Sequence, residues 1–385
     1  MTAGPELRAR RPPGDSETSH PDETTTNKTT SPPKTAQWKA LTFESLPHWM
    51  KDNEHILDHY RPQMSSLKDC LISAFSLFNI HNETINTLSH FIGFLLFLFI
   101  TFYTLLYATR TPRFLPKHLL SSLSSPFPSI PKMPSSPTSA DELFRHLRNS
   151  GKSFLKDHIN LSQYSPHLIN QAFDRLLREH RLGMIPMLLG SIFCMLSSTI
   201  YHTFWIHSKK ALLWLGKLDY TCITLLISGH LLMGMQSGFF CRPTLGRKYQ
   251  ILIALATIAV VVVVFKKDFN TPQYRTKRTL VFCTFGAVAV VPMIHLSLLY
   301  GGQFYHPEWK GFVWSIGRTV VWYLVGAVLF ATRYPECCRP GKHDKVGASH
   351  QLMHLTTIMG AFVHWYETLR NVSYRMEHGC TRSPL

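Results

Sequence analysis

Residues 91–107 read FIGFLLFLFITFYTLLY, an uncharged apolar run that decides the fold class. A helix that crosses ~30 Å of hydrocarbon needs ~20 largely apolar residues, and this run with its flanks is long enough. Two further runs are equally clear, LIALATIAVVVVVF at 252–265 and TLVFCTFGAVAVVPMIHLSLLY at 279–300. A soluble helical core could hold two runs of this kind but hardly more, so the sequence indicates an integral membrane protein.

Counting outward from these runs gives seven candidate spans in a chain of 385 residues. They lie near 85–108, 182–205, 211–236, 248–265, 279–300, 311–332 and 350–370. The seventh is the weakest, because three histidines interrupt it. We therefore predict an all-α, multi-pass membrane protein with a seven-helix domain at 85–370, located in the plasma membrane or the endoplasmic reticulum membrane.

Polar segments surround this domain. Residues 1–44 are rich in Pro, Thr, Ser and charge, so they predict a disordered tail with no secretory signal peptide. Residues 45–84 lead into the first span from the cytosol, and 371–385 form a C-terminal tail. The loop at 109–180 is long. It runs into SPHLINQAFDRLLREHRLG (165–183), whose helical spacing predicts a short amphipathic helix before span two, on the membrane surface or packed on its own loop.

The net charge of +17 could suggest nucleic acid, but the basic residues flank the apolar runs, as expected at a lipid bilayer. One set of short loops holds eleven: Lys209, Lys210, Lys266, Lys267, Arg275, Lys277, Arg278, Arg333, Arg339, Lys342 and Lys345. The opposite set and the C-terminal tail hold seven: Arg242, Arg247, Lys248, Lys310, Arg370, Arg375 and Arg382. The bias predicts a cytosolic N-terminus and a C-terminus outside.

Eight cysteines are too sparse for a disulfide framework and include no C-x-x-C pair. Cys194, Cys222 and Cys283 lie in or near apolar runs, which favours inert core thiols.

Ionisable residues inside membrane spans are costly, so they indicate function. His202 ends the second span, Asp219 lies near the start of the third, and His350 and His354 open the seventh. Since the second span ends on the side where the third and seventh begin, all four share one membrane depth, on the predicted cytosolic side. His350 and His354 are four apart and project from one helix face. With His202 they give three imidazoles, the ligand set that leaves a zinc ion open to water.

Other residues would then have to move protons. The pair reads H-Q-L-M-H, and Gln351 cannot act as a general base. Asp219 is the natural candidate for the base, acting on a zinc-bound water directly or through a further hydrogen bond. A zinc ion lowers the pKa of its bound water to about 7, which gives a hydroxide nucleophile at neutral pH. Ser198, one turn before His202, could orient this water or a substrate carbonyl. Simpler interpretations stay open: an interfacial histidine pair, Asp219 paired with Lys217, and Ser198 bonded to its own helix.

At these residues the sequence resembles a known family. The matching segments are LPHWMKDNEHILDHYRP (46–62), FNIHNETINTLSHFIGF (78–94), the S-x-x-x-H of 198–202, Leu-Asp-Tyr at 218–220, ATRYPECCRPGKHD (331–344) and SHQLMHL (349–355). In this order they resemble the progestin and adipoQ receptor family, which includes adiponectin receptors, haemolysin III relatives and fungal zinc-homeostasis proteins, the branch this chain is most similar to. The resemblance covers about residues 45–370 and implies seven helices with a cytosolic N-terminus.

The resemblance also implies a site and a reaction. Its zinc ligands fall on His202, His350 and His354, its water partner on Asp219, and its serine on Ser198. The implied reaction is zinc-dependent hydrolysis of a lipid amide, with ceramide as the usual substrate. The loop at 109–180 is far longer than in adiponectin receptors, so the resemblance does not imply that this chain recognises the same soluble ligand. Glu83 and Asn86 in the first signature are interpreted as polar groups that bond neighbouring helices.

Three functions follow from these observations. We favour a membrane-embedded zinc hydrolase that takes ceramide-like lipids from the bilayer, with links to lipid and zinc homeostasis. The alternative is a seven-helix receptor in which the zinc is purely structural. A zinc transporter is disfavoured, because the metal-type residues cluster on one side of the membrane.

Overall fold

The computed structural model describes residues 38–109, 143–145, 148, 166–299, 307–378 and 380, with the backbone alone at 107–109, 166–181, 307–311, 373 and 376–378. The chain divides into Met1–Trp38 and Lys39–Leu385, and the helices belong to the second unit. The tail predicted to be disordered falls outside the described residues up to position 37, as does most of the 109–180 loop.

The described chain is built from α-helices. They are α1 Leu67–Ala74, α2 Thr84–Thr109, α3 Pro166–Phe204, α4 Lys209–Gly238, α5 Pro243–Val264, α6 Arg275–Ala287, α7 Val290–Leu299, α8 Pro307–Thr332 and α9 Ser349–His378. Within the described ranges, β-structure is limited to one isolated bridge between Leu41 and Tyr60. The prediction of an all-α chain is confirmed.

Among the described residues, six helical segments are long and apolar enough to cross a membrane. They are Thr84–Leu106, Leu182–His207, Lys209–Gly238, Pro243–Val264, Pro272–Leu299 and Phe312–Thr332. The seventh helix of the bundle is α9, whose 30 residues span about 45 Å at 1.5 Å per residue. Its histidines and other polar residues make it less apolar than the six, as the sequence indicated.

Two spans differ from the expected pattern. The segment predicted as an amphipathic helix before span two is helical, but it continues without a break into the 39-residue α3. The fifth span, in contrast, is interrupted between Ala287 and Val290. Pro292 explains the interruption, because it lacks an N–H and its ring crowds the carbonyl four residues earlier, at Val288.

The backbones of α3 and α4 pack closely against each other away from the ends of both helices. A Cβ atom on Gly190 would lie 2.7 Å from the Leu225 carbonyl oxygen, and one on Gly229 would lie 2.4 Å from that of Pro186. Glycine is therefore required at both positions. Large apolar side chains fill the bundle centre around these contacts, among them Phe97, Met187, Leu188, Met195 and Met233.

The segment before the first span, residues 39–83, forms an N-terminal cap over one end of the bundle. At this capped end α3 ends and α9 begins. The apolar side chains of the cap pack with Trp205, Ile206 and Ala348 of that end. Leu41, in the part of the chain predicted to be a tail, takes part in this packing, and its N–H donates to the Tyr60 carbonyl at 2.9 Å.

Two of the eight cysteines are not free thiols. Cys241, after α4, and Cys380, after α9, form a disulfide across 139 residues. Both lie at the ends of helices that finish on the same side, so proximity in the fold brings them together. Cys194 and Cys222 are buried free thiols, as expected.

Candidate metal centre

Three predicted ligands meet at the capped end of the bundle. His202 on α3 and His350 and His354 on α9 each offer one ring nitrogen, and these nitrogens lie within 4.8 Å of one another. The rings stand at steep angles, 70° between His202 and each of the others and 87° between His350 and His354. His202 and His354 are each only 1% exposed. The cluster could therefore hold a buried metal ion.

His202 is fixed by two groups from the segment before the first span. The Glu83 Oε2 lies 2.6 Å from its Nδ1, the distance of a charge-assisted hydrogen bond. The buried Arg61 guanidinium donates to the His202 backbone carbonyl and, at 3.3 Å, to that of Thr203, which satisfies carbonyls at the end of α3. Burial lowers the pKa of Arg61 to about 10, so it stays charged at neutral pH.

These contacts decide which nitrogen of His202 faces the cluster. With Nδ1 bonded to the Glu83 carboxylate, Nε2 is the free atom, and it is buried without a hydrogen-bond partner among the described residues. A carboxylate behind an imidazole is the usual support of a metal-ligating histidine, because it fixes the tautomer and raises ligand basicity.

His354 is held in the same way by α2. Its Nδ1 lies 3.2 Å from the Asn86 backbone carbonyl and 3.5 Å from the Ser89 hydroxyl, so Nε2 again is left to face the cluster. The His90 ring stacks on the His354 ring with centroids 3.6 Å apart and planes within 9°. His90 is not part of the group of ligand nitrogens that lie within 4.8 Å of one another in the described chain.

The start of α9 is anchored from outside the helix. The fully buried Glu336 carboxylate accepts from the Ser349 N–H at 2.7 Å and from the Ser349 hydroxyl. A carboxylate at a helix N-terminus satisfies free donors and favours the helix dipole. Gln351 is also structural, since its Nε2 donates to the carbonyls of Asn82 and Lys345. The first turn that carries His350 is therefore rigid.

The residues present suit a zinc ion. Three imidazoles are a common zinc ligand set, with Zn–N bonds of ~2.0–2.1 Å, and two of the three here have their second nitrogen engaged, by Glu83 and by the Asn86 carbonyl. Ligand nitrogens of a tetrahedral ion lie about 3.3 Å apart by that bond length, so ring movements of ~1–1.5 Å would close this set around one ion. In the described part of the chain, the group contains three ligands and no carboxylate or thiol.

A cavity of about 130 Å³ lies beside the cluster on the side of the N-terminal cap. Its walls include Glu83, Tyr201, His202, Tyr220, Arg278 and His350. At roughly 10–15 Å³ per water position, this volume admits several water molecules or a small polar group. The buried cluster therefore has space beside it for water or a small polar group.

The structure places the two predicted catalytic residues in the same region. Asp219 on α4 is 7% exposed and accepts a hydrogen bond from Ser197 at 3.4 Å. Ser198, 2% exposed, has a buried hydroxyl without a partner in the described ranges. The serine next to the predicted one therefore makes the contact with the aspartate. Their catalytic roles stay predictions.

The sequence interpretation missed most of the supporting groups. The Glu83 side chain contacts a neighbouring helix at His202, and the Asn86 backbone carbonyl contacts His354, so both support predicted ligands. The Asn86 side chain donates to Glu83 at 2.7 Å. Their spacing just before and within α2, in a stretch already noted as a signature, was the available signal. For Arg61 and Glu336 the sequence offered no signal except that each lies in one of the other segments that match the family.

The haemolysin-III-related family model matches residues 78–365 of this chain. Heptahelical transmembrane protein 4 of Arabidopsis thaliana is 32% identical over 364 residues, covering 89% of this chain and 91% of the relative. Heptahelical transmembrane protein 5 of the same plant is also 32% identical, with 86% and 90% covered. The adiponectin receptor protein of Drosophila melanogaster is 27% identical, with 90% and 63% covered. These matches agree with seven membrane helices, and this chain belongs to the haemolysin-III-related family of multi-pass membrane proteins.

Proposed function

We propose that this protein is a zinc-dependent hydrolase of lipid amides of the ceramide type. The main support is a buried set of three imidazoles next to a cavity with polar side chains in its walls. Two of the three have their second nitrogen held, one by Glu83 and one by the Asn86 carbonyl. Three protein ligands leave a coordination position open, which is typical of catalytic rather than structural zinc. When bound, zinc supplies a water of lowered pKa and polarises a carbonyl.

The chain's own residues would do the remaining work. Glu83 keeps His202 in one tautomer. Asp219 accepts a proton from the attacking water and returns it to the leaving amine, while Ser198 donates a hydrogen bond to the substrate carbonyl. The substrate amide would reach the site from the surrounding bilayer.

We also propose that the N-terminus faces the cytosol. Disulfides persist in oxidising compartments and are rare in the cytosol. Cys241 and Cys380 form theirs at the bundle end opposite the N-terminal cap. The excess of basic residues in the loops at the capped end supports the same orientation. The metal cluster and its cavity would then open to the cytosolic side.

The test is release of sphingoid base from labelled ceramide by purified, detergent-solubilised protein. Wild type is compared with Asp219→Asn and His354→Ala at equal folded concentration and measured zinc content. Asp268→Asn, in a loop, and His295→Ala, in span five, are matched controls. We expect release by wild type and both controls and loss in the two site variants. Wild type that holds zinc and releases nothing would refute the proposal.

A receptor with a structural zinc ion is the second candidate. The matched Drosophila protein is named an adiponectin receptor, and a metal joining α3 to α9 would tie two bundle helices together. In that case His354→Ala should lower the melting temperature, and Asp219→Asn should change neither stability nor zinc content. The hydrolase proposal allows the same outcomes, so the two functions are separated by release of sphingoid base from wild type and its loss in Asp219→Asn.

A further inference from the structure

The loop between α8 and α9 carries two adjacent cysteines that the metal centre does not use. The Sγ atoms of Cys337 and Cys338 lie 3.6 Å apart. Cys338 is exposed and Cys337 partly so. The turn that presents them is fixed by backbone hydrogen bonds, from Cys337 to the Arg333 carbonyl at 2.9 Å and from Cys338 to that of Pro335 at 3.1 Å. The two thiols are therefore held side by side at the surface.

The two ends of the bundle hold cysteines in different states. At one end Cys241 and Cys380 are joined in a disulfide, while at the capped end Cys337 and Cys338 are in contact as free thiols. In the orientation proposed above, on which this inference rests, the free pair faces the reducing cytosol. Thiols in a reducing compartment stay available for metal ions.

We propose that Cys337 and Cys338 form a dithiol site that chelates soft, thiophilic metal or metalloid ions. Soft ligands of this kind select ions such as Cd²⁺, Zn²⁺ and trivalent arsenic. A pair already held in contact loses little conformational freedom on binding, which favours a chelate over two separate thiols. Partial burial and the contact with Cys338 raise the pKa of the Cys337 thiol, so binding must displace its proton.

The site is joined to the start of α9 through one residue. Glu336 precedes Cys337 and accepts hydrogen bonds from Ser349, the neighbour of His350. The Asn53 side chain also donates to Glu336, at 3.1 Å, which ties the loop to the N-terminal cap. A chelate that restrains this loop should therefore raise the thermal stability of the capped end.

Phenylarsine oxide is the probe for such a site. Two S–H bonds and the arsenic–oxygen bond break, two As–S bonds form, and the oxygen leaves with both protons as water. We expect reduced wild type to take up one equivalent at this loop by peptide mass mapping, to lose two titratable thiols and to melt at a higher temperature. A dithiol such as dimercaptopropanol should reverse all three changes.

Single variants decide the assignment. Cys337→Ser and Cys338→Ser should each abolish uptake at the loop and the rise in melting temperature, because the chelate needs both sulfurs. Cys283→Ser, at a free, partly exposed cysteine in α6, is the matched control and should behave as wild type. Wild type that takes up no arsenical at the loop would overturn the proposal. So would uptake there that survives in both single variants.

Discussion

Replacement of Glu83 by glutamine tests how the metal centre is held together. Glu83→Gln keeps the size of the side chain but removes the negative charge that lies 2.6 Å from the His202 Nδ1. A neutral amide forms a weaker bond and no longer enforces the tautomer with Nε2 free. Loss of such a supporting group typically lowers metal affinity by about 10–100-fold, or about 1.4–2.7 kcal/mol. We expect a loss in this range for Zn²⁺.

The assay is competition for Zn²⁺ against a chromophoric chelator in detergent at constant pH. Glu367→Gln is the matched control, because Glu367 is a buried carboxylate of α9 that pairs instead with Arg318, at 2.8 Å. It should bind Zn²⁺ like wild type. An affinity of Glu83→Gln within twofold of wild type would refute the reasoning, and so would an equal loss in both variants.

Three further predictions follow from contacts outside the ligands. Gly229→Ala should lower the melting temperature by the equivalent of ~1–3 kcal/mol, since its Cβ would meet the backbone of α3, while Gly234→Ala, in open space, should not. Alkylation of unfolded protein should count six free thiols before reduction and eight after, and Cys380→Ser should abolish the difference by freeing Cys241. Burial lowers the pKa of His81 to about 3, while the pKa of a histidine in the unfolded chain is ~6.5. The free energy of unfolding should therefore fall as the pH drops below ~6.5, by about 1.4 kcal/mol at pH 5.5. His81→Gln should make the free energy of unfolding less dependent on pH in this range.

The predicted ligands came from local pattern and from counting. The spacing of His350 and His354 puts two imidazoles on one helix face. The alternating direction of successive spans then brings His202 to the same membrane depth, and the structure places the three ring nitrogens within 4.8 Å. The shared membrane depth could be predicted without knowledge of helix packing, because depth depends only on the order of the spans.

The supporting groups could not be predicted in this way. Whether Glu83 meets His202, or Glu336 meets Ser349, depends on how each helix is rotated and on which rotamers the neighbours allow. The disulfide between Cys241 and Cys380 depends on two chain ends 139 residues apart meeting on one side. Sequence spacing carries no signal for such contacts.

The sequence by itself determined the membrane class, the positions of the seven apolar segments and the shared depth of the three predicted ligands, because hydrophobicity and helical period are properties of short segments. Only the tertiary structure decided which nitrogens of His202 and His354 are free, since Glu83 and Asn86 reach them from another part of the chain. It likewise decided that Cys337 and Cys338 touch while Cys241 finds a distant partner. These outcomes follow from side-chain packing between helices, which fixes distances that a linear sequence leaves free.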